Sequence, residues 1–483
     1  MTNPLPIPDE LWAKVPSEAQ AAIAAAFAAM HQRIAELEAK VRDLETRLTL
    51  NSTNSSKPPS SDPIGLKRKP PAPASQRRRG GQPGHARQQR ALVAPEKVAS
   101  VTDCKPAACR RCAHPLDGTD SEPLIHQVAD LPPIEPIVAE YRLHRLSCPQ
   151  CGETTCGRLP DGVPSGCFRP RLHALLCVLA GAYRLSKRQI QQLVGDVLGL
   201  SISTGMICKL ERQAAATLAG PVEELAAHIH QAPAVHIDET GWREDKQKAW
   251  LWVVLTPLVT VFHIIRSRAA AVAQRLLGSR AGQVVHSDRY PGYDWIDPNE
   301  RQVCWAHLRR DFQAMIDRGG AAAEIGQRLL WASNKLYEWW HKVRDGTIQP
   351  TTFQSSIGGL KTIVRETLRQ GSACACPKTA ATCHEILKIE PSLWAFARLE
   401  GVEPDNNVAE RAERHAVIWR RTSGGTDSEQ GSRFVERVLS VVATCRQQKR
   451  DVLGYLTSCF HARLIGQPIP SLLPQDKSEI KVA

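Results

Sequence analysis

The chain has 483 residues, 42% of them hydrophobic, enough for three or more units and at least one large core. An excess of 62 Lys and Arg over 49 Asp and Glu, a net charge of +13, favours a polyanionic partner and leaves nucleic acid and anionic membrane both open. Fifteen cysteines, an odd number mostly outside any pairing pattern, argue against a secreted disulfide scaffold and for a reducing, cytoplasmic setting.

Asp9 and Glu10 stand ahead of any apolar run with no basic segment before them, which is not the pattern of a signal peptide. Ser17-Glu18-Ala19-Gln20 reads as a capping box, in which the Ser hydroxyl and the Gln side chain each satisfy a backbone amide of the other residue, so a helix starts there. Beyond it Ile23, Phe27, Met30, Ile34, Leu37, Val41, Leu44 and Leu48 recur at alternating steps of four and three. That is the seam of a dimerising coiled coil within residues 1–50; the competing reading is an amphipathic helix docked on its own protein. Residues 51–95 turn to Ser, Asn, Pro, Gly and base. Up to Arg90 they hold nine Lys and Arg, with Arg77, Arg78 and Arg79 in a row, against one acid, Asp62. Such a segment builds no core: it reads as a flexible arm that neutralises DNA phosphates, or as a solvated linker with no partner.

Cys109-Arg-Arg-Cys112 and Cys148-Pro-Gln-Cys151 follow, separated by the 35 residues from 113 to 147, with a β-rich span expected at 134–146. Two such knuckles match a structural zinc ribbon, since four thiolates close a tetrahedral Zn2+ site. Cys104, His114 and Cys156 are rival ligands within this finger-like module, residues 100–158. Four unrelated buried thiols would not explain two identical spacings. Residues 165–230 read as helical, with a break at Gly199-Leu200-Ser201 and a second helix from Ser203-Thr204 that exposes Lys209 and Arg212. The pattern is that of a DNA-binding helix-turn-helix, although such pairs are equally common as packing units.

Val235-His-Ile-Asp238 and Val285-His-Ser-Asp288 each end a β-prone run in an aspartate. Between them lie strand candidates at 249–255 and 259–265 and a helix at 269–277. The apolar stretch 249–265 is split by Thr256-Pro257, which fits two paired strands and not a membrane span. Strand, strand, strand, helix, strand is the order of a ribonuclease-H-like domain, whose first and fourth strands sit side by side and bring both acids to one site. Two or three carboxylates with open positions suit a pair of Mg2+ ions about 4 Å apart, the arrangement used in phosphodiester chemistry. As separate residues, Asp238 would be a strand-end cap and Asp288 a turn former. A third acid is offered by Glu410, one turn into a helix whose N-cap is Asp405 or Asn406. Glu239, Glu403 and Glu413 compete for that place; Glu413, at i+3 from Glu410, has an arginine pair as its other use. His307, Arg309 and Arg310 open a helix after a fifth strand near Val303, as a solvated basic face or as a grip on phosphate.

His-Ile-Asp-Glu-Thr-Gly-Trp (236–242), Ser-Asp-Arg-Tyr-Pro-Gly-Tyr (287–293), Cys-Trp-Ala-His-Leu-Arg-Arg (304–310) and Asp-Asn-Asn-Val-Ala-Glu-Arg (405–411) resemble the transposase of the insertion sequence 66 family. The upstream order also resembles it: helix seam, Asn51-Ser-Thr-Asn-Ser-Ser-Lys-Pro-Pro-Ser60, Gly80-Gly-Gln-Pro-Gly-His85 and the paired knuckles. The resemblance implies a multidomain α+β chain whose ribonuclease-H-like α/β catalytic domain spans 231–425, with a helical insertion at about 320–400 that carries Cys374, Cys376 and Cys383. It implies catalytic acids at Asp238, Asp288 and Glu410, Mg2+ or Mn2+ held by them, cleavage at element ends, and joining to target DNA. Arg289 stands where the family more often has glycine, as a further cation within reach of a phosphate. A C-terminal helical segment at 426–466 and an unstructured tail at 467–483 complete the expected layout. Expected partners are DNA, a second copy of the chain, and small accessory proteins encoded beside it; a nucleoid-associated bacterial protein fits, a membrane partner does not. Two other readings are a DNA-binding regulator without catalysis and a nuclease or resolvase that does not join.

Overall fold

The computed structural model describes residues 9–49, 91–278 and 282–474. The chain divides into two compact units, a smaller one of Lys69–Arg142 with Gln191–Ser203 and a larger one of Met1–Arg68, Leu143–Ile190 and Thr204–Ala483. Arg77, Arg78 and Arg79 lie outside the described residues. No described helix is long and apolar enough to cross a membrane.

The larger unit opens with α1 (Asp9–Trp12) and α2 (Ser17–Thr49). The long helix starts where expected, but the capping box does not form. The Gln20 side chain donates instead to the carbonyls of Trp12 (2.8 Å) and Val15 (3.0 Å), satisfying the end of α1. Met30, Ile34, Leu37 and Val41 of the expected seam are exposed. The span 134–146 corrects the β-rich expectation: in the larger unit β1 (Arg145–Ser147) pairs antiparallel with β2 (Thr154–Cys156), while Ile134, Ile137 and Val138, of the smaller unit, sit exposed on irregular backbone. Pro132, Pro133 and Pro136 lack the amide hydrogens that a ladder needs. The helices expected after residue 165 follow as α3 (Pro170–Gly181), α4 (Lys187–Leu198), α5 (Thr204–Thr217) and α6 (Ala219–Ile229). Gly199 ends α4 at φ 62°, a left-handed conformation open to glycine without strain.

The sheet that positions the acids consists of β3 (Ala234–Glu244), β4 (Gln247–Leu255), β5 (Thr260–Ile265), β6 (Val284–Ser287) and β7 (Arg301–Val303), with α7 (Ala270–Leu277) between β5 and β6. Their order is β5-β4-β3-β6-β7. The first three form an antiparallel meander, and β6 runs parallel to both β3 and β7. The first and fourth strands are therefore neighbours, as the sequence order requires. Pairing of His236 with His286 fixes the register.

After β7 come α8 (Trp305–Asp317), α9 (Gly320–Arg344), α10 (Pro350–Ser356), α11 (Gly358–Ser372) and α12 (Pro377–Lys388). They share a core around Trp305, Phe312, Leu329, Leu368 and Trp394, whose two indoles lie 5.2 Å apart. Gly326 lets α9 cross closely over α8, since a Cβ there would lie 2.6 Å from the Phe312 carbonyl oxygen. Gly326→Ala is expected to force the helices apart at a cost of about 1–3 kcal/mol. Urea unfolding of the larger unit should then show a lower midpoint at unchanged slope; an unmoved midpoint would mean the crossing yields freely.

Finally α13 (Asn407–Ser423), α14 (Glu429–Gln447) and α15 (Val452–Leu464) close the unit. Ala409 and Ala416 of α13 pack on the sheet face formed by Trp242, Ala249, Leu251 and Val253. α14 covers the edge of β5. The amides of Thr260, Phe262 and Ile264 donate to Thr444 Oγ1, Ser440 Oγ and Glu436 Oε1. Two strand residues advance about 6.6 Å and four helix residues about 6.0 Å, so side chains at i, i+4 and i+8 match alternate amides. An edge that would otherwise recruit a foreign strand is thereby closed.

Burial pushes the Glu436 carboxyl up to about 7, against the pull of Arg433. Between its ordinary value of 4.5 and about 7 the folded protein retains a proton that the unfolded chain has lost, so stability falls as pH rises through this window. Glu436→Gln keeps an acceptor for Ile264 and is expected to flatten the fall in melting temperature between pH 5 and 8. An unaltered slope would place its origin elsewhere.

Residues 467–474, expected as the start of an unstructured tail, are ordered. Leu472 is fully buried, its carbonyl accepts from Gln448 and Arg450, and Tyr455 donates to the Pro470 carbonyl. A leucine with prolines at 470 and 474 brings apolar surface at little entropic cost.

Candidate active site

Asp288 directly follows β6 as expected, but Asp238 is not at a strand end: β3 runs six residues past it to Glu244. Because His236 pairs with His286 in parallel, positions two residues on bring the aspartates side by side. The imidazoles stack with centroids 3.9 Å apart. Burial pulls both rings down, and each ring's environment favours the neutral form. Asp238 Oδ1 accepts the Glu239 amide and Asp288 Oδ1 accepts the Tyr290 amide, each at 2.9 Å, which leaves Oδ2 of each for a ligand. Burial raises the Asp238 carboxyl well above its ordinary range, and the charges of Asp288 and Glu239 add to the rise. Glu239 points to the opposite face of β3, where Arg268 Nε (2.7 Å) and the Tyr293 hydroxyl hold it. Arg301, 1% exposed, donates to the Asp288 carbonyl (2.8 Å) and to Ser287 Oγ (3.0 Å), so it fixes the turn that presents Asp288.

Asn406 ties α13 to this strand. It is the N-cap residue, but its side chain does not cap. Its Nδ2 donates to the Ile237 carbonyl and its Oδ1 accepts from His236 Nδ1, both at 2.8 Å, and its backbone amide donates to Cys304 Sγ. Glu410, one turn on, leans toward α8: its Oε1 is 3.3 Å from Arg310 and 3.5 Å from His307 Nδ1. Burial pulls the His307 ring down to about 3 with help from Arg310, so this contact is not a charged pair. Burial raises the Glu410 carboxyl while Arg310 lowers it, and Glu410 is near enough for its charge to raise Asp238.

Asp238 and Asp288 offer oxygen only, the donor that Mg2+ and Mn2+ require, and their mutual repulsion is what a bound cation would relieve. The residues fit such an ion. Among the described residues, the group that brings three candidate ligand atoms within 4.8 Å of one another is a different one, Cys304, His307 and Glu410, with one sulfur, one nitrogen and one oxygen. That mixed set suits a softer metal. Burial pushes the Cys304 thiol up to about 12, however, so it packs as a neutral group.

The other predicted residues divide. Arg309 is engaged by Ser333 Oγ (3.0 Å), Asn334 Oδ1 (2.6 Å) and the Tyr337 ring. Arg289 pairs with Asp311 at 2.9 Å. Lys209 is exposed on α5. Glu413 is buried on α13, and Glu403 accepts from the Trp340 indole. The two cysteine pairs form knuckles with one hydrogen-bond pattern. The Cys109 amide donates to the His114 carbonyl and the Ala113 amide to the Cys109 carbonyl; likewise Cys148 to Glu153 and Gly152 to Cys148. Backbone amides of Arg111 and Cys112 lower the Cys109 thiol, and those of Cys151 and Gln150 lower Cys148, which favours the thiolates a metal needs. Sequence reasoning missed the clamp made by Asn406 and the support from Arg301; neither long-range bond leaves a local signal.

Acids gathered where two parallel strands adjoin, in a mixed α+β chain with cysteine knuckles, point to the class of transposases that carry a zinc-finger domain. The chain belongs to the transposase IS66 family, whose model matches residues 165–433. The zinc-finger binding domain of transposase IS66 matches residues 106–152, and a family of unknown function (DUF6444) matches residues 5–91. Two uncharacterized proteins of Sinorhizobium fredii are similar. One, y4qI, is 25% identical over 253 residues, which cover 47% of this chain and 46% of that protein. The other, y4hP, is 22% identical over 417 residues, 76% of this chain and 72% of that protein. The chain thus aligns with less than half the length of the first and nearly three quarters of the second.

Proposed function

We propose that this chain is a DDE transposase that binds the ends of its insertion sequence, cuts them and joins them to target DNA. The observation that carries the reading is the parallel register of β3 and β6, which sets Asp238 beside Asp288. In this reading the two aspartates, with Glu410 as the third acid, hold divalent Mg2+ or Mn2+ in a ribonuclease-H-like domain. The chemistry supplied by bound ions is activation of the attacking oxygen and stabilisation of the leaving oxygen. The chain's own part is positioning: Arg301 fixes the Asp288 turn, Asn406 pins the start of α13, and Arg310 favours the ionised form of Glu410. His307 and Arg310, beside Glu410, are placed to meet a phosphate; Arg309 and Lys209 are further DNA contacts in this reading, with Arg77, Arg78 and Arg79 on the preceding arm. Cys109, Cys112, Cys148 and Cys151 are the zinc ligands, supported by their matching knuckles and by the zinc-finger family match. The protein acts in the bacterial cytoplasm at the nucleoid, with or without small accessory proteins.

Self-association is the best use of α2. Met30, Ile34, Leu37 and Val41 are 56, 48, 47 and 52% exposed, and covering each such half-exposed apolar side chain with a second helix contributes about 1 kcal/mol. The double substitution Ile34→Glu with Leu37→Glu is expected to convert a dimer to a monomer in light scattering. A dimer that survives assigns the contact to another surface.

The test of the whole reading is incubation of purified protein with Mg2+ and DNA carrying the candidate ends. Joined product supports a transposase. Nicks without joining favour a nuclease or resolvase, and binding without cleavage favours a regulator.

A further inference from the structure

α13 is fastened to β3 at two points, and the helix face between them carries an acid. At its start Asn406 holds His236 and the Ile237 carbonyl. Near its end the Arg420 guanidinium reaches Thr240 Oγ1 (3.2 Å) and the Gly241 carbonyl. Residue 413 is midway between the two helix anchors, and residue 238 is midway between the strand anchors. Strand alternation puts His236, Asp238, Thr240 and Trp242 on one face, the face on which Ala409 and Ala416 pack. Ala409, Glu413 and Ala416 are the buried residues of α13, spaced by four and three, so they form a single stripe. The middle of that stripe meets the middle of the strand segment.

Glu413 is only 8% exposed, and its Oε1 is enclosed with no hydrogen-bond partner. A carboxylate between two small apolar residues is a poor packing group; an apolar side chain would fill the same place without leaving an oxygen unsatisfied. Burial raises the Glu413 carboxyl well above its ordinary range, the charges of Asp238, Glu239 and Glu410 add to the rise, and Arg420 opposes it.

We propose that Glu413 is a metal ligand of the acid pocket, facing Asp238 from the helix side, so that four carboxylates surround the site. This rests on the reading of the pocket as a divalent-metal centre. Asp238, Asp288, Glu410 and Glu413 together balance the charge of two divalent ions. Glu410 is drawn toward Arg310 and His307, while Glu413 lies on the buried stripe of α13 that packs on the sheet. The role of Glu413 differs from that of a tolerated buried acid, which would be indifferent to metal.

The experiment is a Mn2+ titration of the full chain, read by electron paramagnetic resonance of unbound Mn2+ and by the metal-induced shift in melting temperature. Glu413→Gln, Glu413→Leu, Asp238→Asn and Asp288→Asn are compared with the unsubstituted protein. Glu413→Gln is expected to weaken Mn2+ binding by about tenfold or more, since even residues behind the ligands cost that much. Glu413→Leu is expected to raise the metal-free melting temperature and to lose most of the Mn2+ shift, which shows that a folded protein has lost a ligand. Full Mn2+ binding by both Glu413 variants, with loss in the aspartate variants, overturns the proposal and leaves the pocket standing. Binding that none of the four substitutions affects overturns the pocket reading and this inference with it.

Discussion

Asp238→Asn and Asp288→Asn are each expected to slow metal-dependent DNA cleavage and joining by about a thousandfold or more while leaving DNA binding in place. A metal site that charges an attacking oxygen and neutralises a leaving one supplies several kcal/mol of transition-state stabilisation, and each ~1.4 kcal/mol is a factor of ten in rate. Asparagine keeps the shape of aspartate and can still accept the Glu239 or Tyr290 amide, so the fold survives while the charge goes. A second readout separates loss of charge from loss of fold. Burial, with Asp288 and Glu239 alongside, raises the Asp238 carboxyl. An acid raised by folding keeps its proton longer in the folded protein, so its contribution to stability falls as pH rises. In the absence of metal, Asp238→Asn should therefore raise the melting temperature, more at pH 8 than at pH 5. A variant that is inactive and also less stable at both pH values would point to a structural role. Gel-shift assays at matched salt check that DNA affinity is unchanged.

Removal of zinc is expected to open residues 91–142 and the Cys148–Cys151 turn, while the β3–β7 sheet of the larger unit stays folded. Residues 91–142 carry little regular structure, and Val101, Leu124, Ile137 and Val138 are among the most exposed apolar residues, so packing contributes little there. Binding of structural zinc contributes on the order of 10 kcal/mol in small finger modules, enough to decide whether such a segment is ordered. All 11 tryptophans lie outside residues 69–142 and 191–203. Chelation should thus make Arg110, Arg111 and Arg142 sensitive to trypsin with no change in tryptophan fluorescence, and Cys109→Ser should mimic it with zinc present. Equal trypsin sensitivity with and without zinc would remove these cysteines from the metal site.

The strands that frame the site were legible because Val, Ile and Trp alternate around them and because Asp238 and Asp288 follow matching β-prone residues, although β3 continues past Asp238 to Glu244. Chain order then made the first and fourth strands neighbours. Asn406 shows where such reading stops. Asn at a helix start signals an N-cap, yet its side chain bonds to His236, 170 residues away, and nothing local records that choice. Glu410 and Glu413 differ in burial for a related reason. Spacing along α13 gives their relative angle, but which of them faces the sheet depends on the anchors at Asn406 and Arg420. The prolines at 132, 133 and 136 were a legible warning against strands at 134–146; the apolar Ile134, Ile137 and Val138 outweighed it in the sequence reading. The order at 467–474 depends on bonds to Gln448, Arg450 and Tyr455 that only the folded chain provides.

The most direct test of the central claim, that Asp238 and Asp288 hold a divalent metal, is anomalous diffraction from crystals grown with Mn2+. Anomalous density against both aspartate carboxylates is the predicted result. Density confined to Cys304, His307 and Glu410, or none at saturating Mn2+, would contradict it.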